Sequence, residues 1–329
     1  MRPSLGVLIT YHNEGRLLAE CLDTLLAQSD RPDEILIFDD ASSDPAEKHV
    51  EEGRQGVRIL RGEKNMGAGL ARNELLRLSR SDFIHFQDAD DFFDPSWCGS
   101  VRAAIDTGEA DIILNNVSAV DAAGTAVIAS KLYNFHGLFL ANDLTAFFLT
   151  EYTNILVAMT TFRREAALSA GGFLPRETLT FAEDFEFHIR LFAQGSKFKV
   201  IPDALVIKRR RPDSLSRDGS RRLRPEVFTD AIKSLQLIGE WLPSRYQCFL
   251  PDLFCRRGAS LFRIGRRREA RLAFRQAREW GKPLYRSQPW AYRTLARTFG
   301  PELPEWTFLF YSRWVPSKLR SRIKSAIPS

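Results

Sequence analysis

The stretch Ile35-Leu36-Ile37-Phe38-Asp39-Asp40-Ala41-Ser42-Ser43-Asp44-Pro45 decides how the first half of the chain is read. Four apolar residues make a run of strand length, and acidic, small and proline residues then stop it. Towards the N-terminus, Leu5 to Thr10 is another apolar run. Between the two runs, Leu17, Leu18, Cys21, Leu22, Leu25 and Leu26 recur at helical spacing on one face. In the other direction, the pattern predicts strands at 57–60, 83–86 and 111–117 and a helix over about 69–78. Such alternation gives an α/β domain, a mostly parallel sheet with helices on both faces. In sheets of this kind ligands gather at the carboxyl ends of the strands.

The 329 residues, 44% hydrophobic and 27% charged, suffice for one large domain and a smaller one, which excludes disorder and a miniature disulfide scaffold. Cys21, Cys98, Cys248 and Cys255 show no CxxC pair, so reduced thiols are expected rather than zinc or a disulfide framework. No run approaches the roughly 18 apolar residues of a membrane span, and Met1-Arg2-Pro3-Ser4 leads into a strand without a cleavable signal. A cytoplasmic protein is therefore expected. The net charge of +6 is unevenly spread: residues 1–207 carry −12 and residues 208–329 carry +18. Beyond Lys208 arginine dominates, strand patterns vanish, and five of the six tryptophans occur, which predicts a helical C-terminal region. Around Gly265, Phe254, Gly258, Leu261, Ala270, Phe274 and Ala277 are spaced like one tetratricopeptide-type helical hairpin; a single unit reads as a packed cap, not a repeat array.

Three acidic clusters fall where strands are expected to end: Asp39-Asp40, Asp88-Ala89-Asp90-Asp91 and Glu183-Asp184. In extended backbone, side chains at i and i+2 share a side, so Asp88 and Asp90 can converge on one cation. Oxygen ligands suit Mg²⁺ or Mn²⁺, and so few of them call for phosphate oxygens from a substrate, which points to a nucleoside diphosphate. Glu183-Asp184 precedes an apolar helix pattern running to Gly195 and is open, on position alone, as a helix cap or as a functional pair.

In their order these pieces resemble the inverting family 2 glycosyltransferases of the GT-A fold. The family's opening strand and proline-x-tyrosine-asparagine turn are met by Val7-Leu8-Ile9-Thr10-Tyr11-His12-Asn13-Glu14, and its acidic second strand end by Ile37 through Asp44. Asn65-Met66-Gly67 with Ala71-Arg72-Asn73, then Asp88-Ala89-Asp90, Gly171-Gly172-Phe173, Glu183-Asp184, and Arg209 through Ser216 follow in register. The resemblance implies a GT-A catalytic domain over 1–212, the nucleotide-diphospho-sugar transferase fold, followed by a basic, aromatic-rich helical region over 213–329. It implies that Thr10, His12 and Asp40 line the nucleotide base with Asp39 beside it, and that Arg72, Asp88 and Glu183 approach the nucleotide-sugar. It further implies that Asp90, with Asp88, holds Mn²⁺ or Mg²⁺, and that Asp184 removes the acceptor hydroxyl proton. Arg211 stands where the family often has histidine; it cannot ligate a cation, but its fork suits the diphosphate.

The expected activity is hexosyl transfer from a nucleotide-diphosphate donor, a UDP-sugar, to a hydroxyl of a surface polysaccharide, lipopolysaccharide or lipid-linked acceptor. The alternative is a catalytically silent nucleotide-sugar-binding or scaffold protein of a glycan-assembly complex. Gly67-Ala68-Gly69 lacks the third glycine of a dinucleotide fingerprint, which argues against a dehydrogenase. Residues 306–327 mix aromatics with Lys318, Arg320, Arg322 and Lys324 and place Leu319, Ile323 and Ile327 on one helical stripe. That pattern fits an anionic membrane surface at the inner face of the cytoplasmic membrane, or equally a solvated or intramolecular basic face. No nucleic-acid module accompanies the arginines, so nucleic acid is not an expected partner.

Overall fold

Every residue of Leu5–Tyr11 except Thr10 is buried, the pattern of a strand covered on both faces. This strand, β1, opens the fold of a computed structural model that describes residues 2–50, 56–133, 135–151, 155–216, 223–285 and 290–307. It is followed by α1 (Arg16–Leu26), β2 (Glu34–Asp39), β3 (Val57–Arg61), α2 (Ala68–Leu78), β4 (Phe83–Asp88), β5 (Phe92–Phe93), α3 (Trp97–Asp106), β6 (Ile112–Val120) and β7 (Val127–Ala129). Then come α4 (Leu144–Glu151), β8 (Thr160–Arg163), α5 (Arg164–Ser169), α6 (Glu183–Phe192), β9 (Phe198–Arg209) and α7 (Pro225–Trp241).

The strands form one sheet in the order β3-β2-β1-β4-β8-β6-β9-β5, with β7 on β6. The first four pair in parallel, as the alternation requires. The second half is mixed, because β8 runs antiparallel to both β4 and β6, whereas β9 returns parallel to β6. The expectation of a mostly parallel sheet thus holds for the β3-β2-β1-β4 half. Helix α2 packs over β1 and β2, and α3 lies against β6 and β9.

The parallel register pairs Tyr11 with Asp39 and Thr10 with Asp88, so the carboxyl ends of β1, β2 and β4 finish level. An aromatic cluster fixes what faces that edge. Phe173 stacks on Phe187 of α6 at 4.1 Å and meets Phe86 of β4 edge-on at 5.4 Å, while Phe162 of β8 touches both Phe86 and Phe187. Fully burying one such ring is worth about 1.5–3 kcal/mol, so the start of α6 is held firmly beside the strand ends.

The chain divides into two compact units, Met1–Leu242 and Pro243–Ser329. The second contains α8 (Ser244–Gln247), α9 (Leu250–Arg263), α10 (Arg267–Trp280) and α11 (Trp290–Phe299). Its α9 and α10 form the expected hairpin around Gly265, whose φ of +86° favours glycine. Phe254, Gly258, Leu261, Ala270, Phe274 and Ala277 all lie inside it. A Cβ on Gly258 would stand 2.5 Å from a Phe274 ring carbon, so only glycine lets the two helices come this close. Glu305, fully buried, takes hydrogen bonds from Arg263 (2.7 and 3.0 Å) and the Tyr292 hydroxyl (2.8 Å). From residue 308 onward the basic aromatic tail lies outside the described residues.

Candidate active site

Three acidic clusters were expected where strands end; the first two do close β2 and β4, whereas Glu183-Asp184 opens the helix α6. The Asp39 carboxylate is fully buried and turned inward: Oδ1 accepts from the Ser42 N–H (2.7 Å), and Oδ2 from the Ala46 N–H (3.0 Å) and Arg61 (3.1 Å). Burial opposes its charge, but these donors win and keep the carboxyl below its ordinary range. Asp40 gives one oxygen to the Met66 N–H and the other to the Gly67 N–H, both at 2.8 Å, tying the end of β2 to the loop before α2. Thr10 is half-buried and His12 exposed, with His12 Nδ1 3.0 Å from the Asp40 carbonyl. Asn13 and Ala41, neither of them glycine, hold positive φ of 63° and 54° in these turns. Such residues persist where the surroundings fix them, often at sites.

At the end of β4, Asp88, Asp90 and Asp91 each offer an oxygen within 4.8 Å of the others. Cations of this chain meet all three. Arg72 Nη2 lies 2.9 Å from Asp88, Arg211 Nη1 3.2 Å from Asp90, and Lys208 Nζ 3.2 Å from Asp91 and 3.7 Å from Asp88. For Asp88 burial works against ionisation, yet Arg72 and Lys208 hold its carboxyl below the ordinary range. Asp90 is pushed up, by burial and then by Asp88, against the pull of Lys208 and Arg211. Asp91, 1% exposed, is pushed up to about 7 by burial, with Asp90 and Asp88 adding to it and Lys208 opposing. Glu14 belongs to the same field: burial, Asp90 and Asp88 raise its carboxyl to about 7, although the His12 N–H donates to it.

Arg72 joins this turn to the third cluster. Its buried guanidinium gives Nη1 to Glu183 (3.0 Å) while Nη2 holds Asp88, and it lies over the Phe173 ring at 5.4 Å. Glu183 and Asp184 open α6 just after Ala182, which has a left-handed φ of 63°. Asp184 Oδ1 accepts from the adjacent Phe185 N–H at 2.8 Å, but burial and the adjacent Glu183 push this carboxyl up to about 7, with Arg72 pulling the other way. Buried His188 approaches the Asp184 carbonyl at 2.6 Å and the Thr160 hydroxyl at 2.7 Å; burial lowers its imidazole to about 4, so it stays neutral there.

Two motifs of the sequence prove to be one clasp. Asn73 donates to the Phe173 carbonyl (2.8 Å) and accepts from the Phe173 N–H (2.7 Å), and Gly172, at φ +68°, leaves room for the Asn73 amide. Asp230 of α7 accepts from the Thr180 and Phe181 N–H groups, both at 2.9 Å, and so holds the approach to Glu183. Sequence reasoning assigned no role to Asp230, Asn73, Glu14, Asp91 or Lys208. The Asp88-Ala89-Asp90-Asp91 run contained the signal for Asp91, whereas Lys208 required seeing that 198–209 is a strand ending beside it.

An all-oxygen donor set suits a hard divalent cation, so Asp88 and Asp90 could hold one, with Asp91 behind them. Arg72 and Arg211 each take one oxygen of these two aspartates. The arrangement therefore joins, through Arg72, an acidic turn whose donor set suits a divalent cation to a helix start bearing a carboxyl of raised pKa.

The family model described as Glycosyl transferase family 2 matches residues 6–169. The chain is 28% identical over 225 residues to the succinoglycan biosynthesis protein ExoU of Rhizobium meliloti, covering 66% of this chain and 64% of that protein. It is 27% identical over 286 residues to the hyaluronan synthase of Pasteurella multocida, covering 75% of this chain but 28% of that one. The chain thus spans somewhat less than two thirds of ExoU and far less of the synthase. Among solved structures, S. aureus TarS 1–349 in complex with UDP-GlcNAc superposes with a TM-score of 0.66 at 19% identity, over 94% of this chain and 91% of that one. The likeness shows the fold to be GT-A.

Proposed function

The chain belongs to glycosyl transferase family 2, and from that premise we propose that it is an inverting, metal-dependent glycosyltransferase. It moves a sugar from a UDP-sugar to a hydroxyl of a cell-surface polysaccharide, lipopolysaccharide or lipid-linked acceptor. The catalytic domain is 1–212, followed by the basic helical region 213–329, whose segment 306–327 serves attachment to an anionic membrane surface. The observation that carries the reading is Arg72, buried between Asp88 and Glu183, which locks the acidic turn to the helix start bearing Asp184. The relatives named for succinoglycan biosynthesis and hyaluronan synthesis support a polysaccharide acceptor, and the UDP-GlcNAc complex supports the donor class.

When bound, a divalent cation would neutralise charge developing on the leaving diphosphate. Asp90 and Asp88 would hold it. Arg211 offers its guanidinium from the same side for phosphate oxygens, and Thr10 and His12 present the accessible surface for the base. Asp184 takes the proton of the acceptor hydroxyl, which attacks the anomeric carbon from the face opposite the leaving group. Glu183 keeps Arg72 in place. The test is release of nucleoside diphosphate by purified protein from a donor panel, with Mn²⁺ or Mg²⁺ and candidate acceptors. Donor-specific, acceptor-stimulated release that chelation abolishes is expected. Full turnover after complete chelation removes the metal, and binding of donor with no transfer to any acceptor favours the silent binding protein.

A further inference from the structure

Of the three cations that pair with carboxylates of the acidic turn among the described residues, two have carboxylate partners elsewhere: Arg72 also holds Glu183, and Arg211 also holds Asp213 at 2.8 Å. Lys208 differs, since both of its ion pairs, with Asp91 at 3.2 Å and Asp88 at 3.7 Å, lie inside the turn. It is not a wandering surface side chain. Ile207 pairs with Phe92 across the β5–β9 ladder, and the Arg209 N–H donates to Asp91 Oδ1 at 2.8 Å, so the backbone on both sides of Lys208 is tied to the acidic segment. Its ammonium, a compact charge on a flexible stem, occupies oxygens that a divalent cation needs.

We propose that Lys208, seated on Asp91, is a resident counter-ion that competes with a divalent cation for the carboxylate of Asp88 and so weakens cation binding by the nucleotide-free protein. The inference rests on the cation reading of the preceding section. Like charges a few ångströms apart repel strongly in a partly desolvated site, so the ammonium must draw back for a cation to settle on Asp88. Drawing back is open to a lysine stem but not to Arg72, which is buried and doubly paired.

The experiment is Mn²⁺ binding to nucleotide-free protein, read from the electron paramagnetic resonance signal of free Mn²⁺, for wild type, Lys208→Met, Lys208→Gln and Lys208→Arg. Either uncharged variant should bind at least about tenfold tighter, equivalent to about 1.4 kcal/mol, and the arginine variant should stay close to wild type. A melting series guards against a folding defect. In chelator the uncharged variants should melt below wild type, and Mn²⁺ should raise their Tm by more than it raises that of wild type. Equal or weaker Mn²⁺ affinity in a folded uncharged variant overturns the proposal, as does an equal Tm gain in all four proteins. Absence of Mn²⁺ binding in every protein removes the cation reading itself, and this inference with it.

Discussion

The proposed role of Asp184 as base rests on surroundings that make it a reluctant anion. Burial and Glu183 raise its carboxyl to about 7, so it holds a proton at low pH and can accept one only as pH climbs past that value. The rate at low substrate should therefore rise with pH through about 7 and level off above it. Asp184→Asn should lower kcat by about 10²–10⁴-fold while nucleoside diphosphate binding persists. Steady-state assays between pH 5 and 9 check both, and full turnover by the variant removes the assignment. Arg211 is anchored between Asp90 and Asp213. Arg211→Ala should weaken nucleoside diphosphate binding in calorimetry, and unchanged affinity would sink its phosphate role. Arg72 carries structural weight, because removing it takes its ion pair from Glu183 and leaves Asp88 to Lys208. Arg72→Met should cost about 3 kcal/mol of stability in urea unfolding; a loss under about 1 kcal/mol would mean that the pairs are replaceable by solvent.

At the scale of elements, the site depends on how α6 is delivered. The loop before it is clasped by Asn73 from α2 and by Asp230 from α7, and Phe173 and Phe187 stack beneath it. Gly172 is the narrow point: it sits at φ +68°, and an added Cβ would overlap the Asn73 side chain. Gly172→Ala should destabilise the protein by about 2 kcal/mol and should impair transfer more than it impairs nucleotide binding, as a thermal melt and paired KM and kcat measurements would reveal. A variant as stable and active as wild type would show that the clasp is dispensable. The helix over 183–192 and the strands up to Asp88 were legible because their apolar residues recur with clear periods and turn formers stop them. Strands β8 and β9 were not. Thr160–Arg163 is too short to show a period, and in Phe198–Arg209 the burial pattern is broken by exposed Pro202 and Asp203.

For the whole molecule, the charge division follows the architecture. The unit Pro243–Ser329 holds 19 basic and 5 acidic residues, and residues 308–329 alone contribute Arg313, Lys318, Arg320, Arg322 and Lys324 with no acid. Each basic residue near an anionic leaflet is worth about 1 kcal/mol, enough in sum for measurable attachment. Among the described residues no helix is long and apolar enough to cross a membrane. In flotation with anionic vesicles at low salt, the full chain should rise with the lipid, and a chain ending at Thr307 should stay below. Equal recovery of the two would end the lipid role of the tail.

The sequence by itself determined the β-α-β order, the place of the first two acidic clusters at strand ends, and the helical hairpin around Gly265. Those features are local, set by period, turn chemistry and side-chain volume within a few residues. Only the tertiary structure decided which carboxylates are available and what charges them. Asp39 and Asp40 accept from N–H groups of their own and a neighbouring loop, whereas Asp88, Asp90 and Asp184 meet Arg72, Lys208 and Arg211 from segments between 16 and 121 residues away. Desolvation and charge pairing depend on distance in space, which no spacing along the chain reveals.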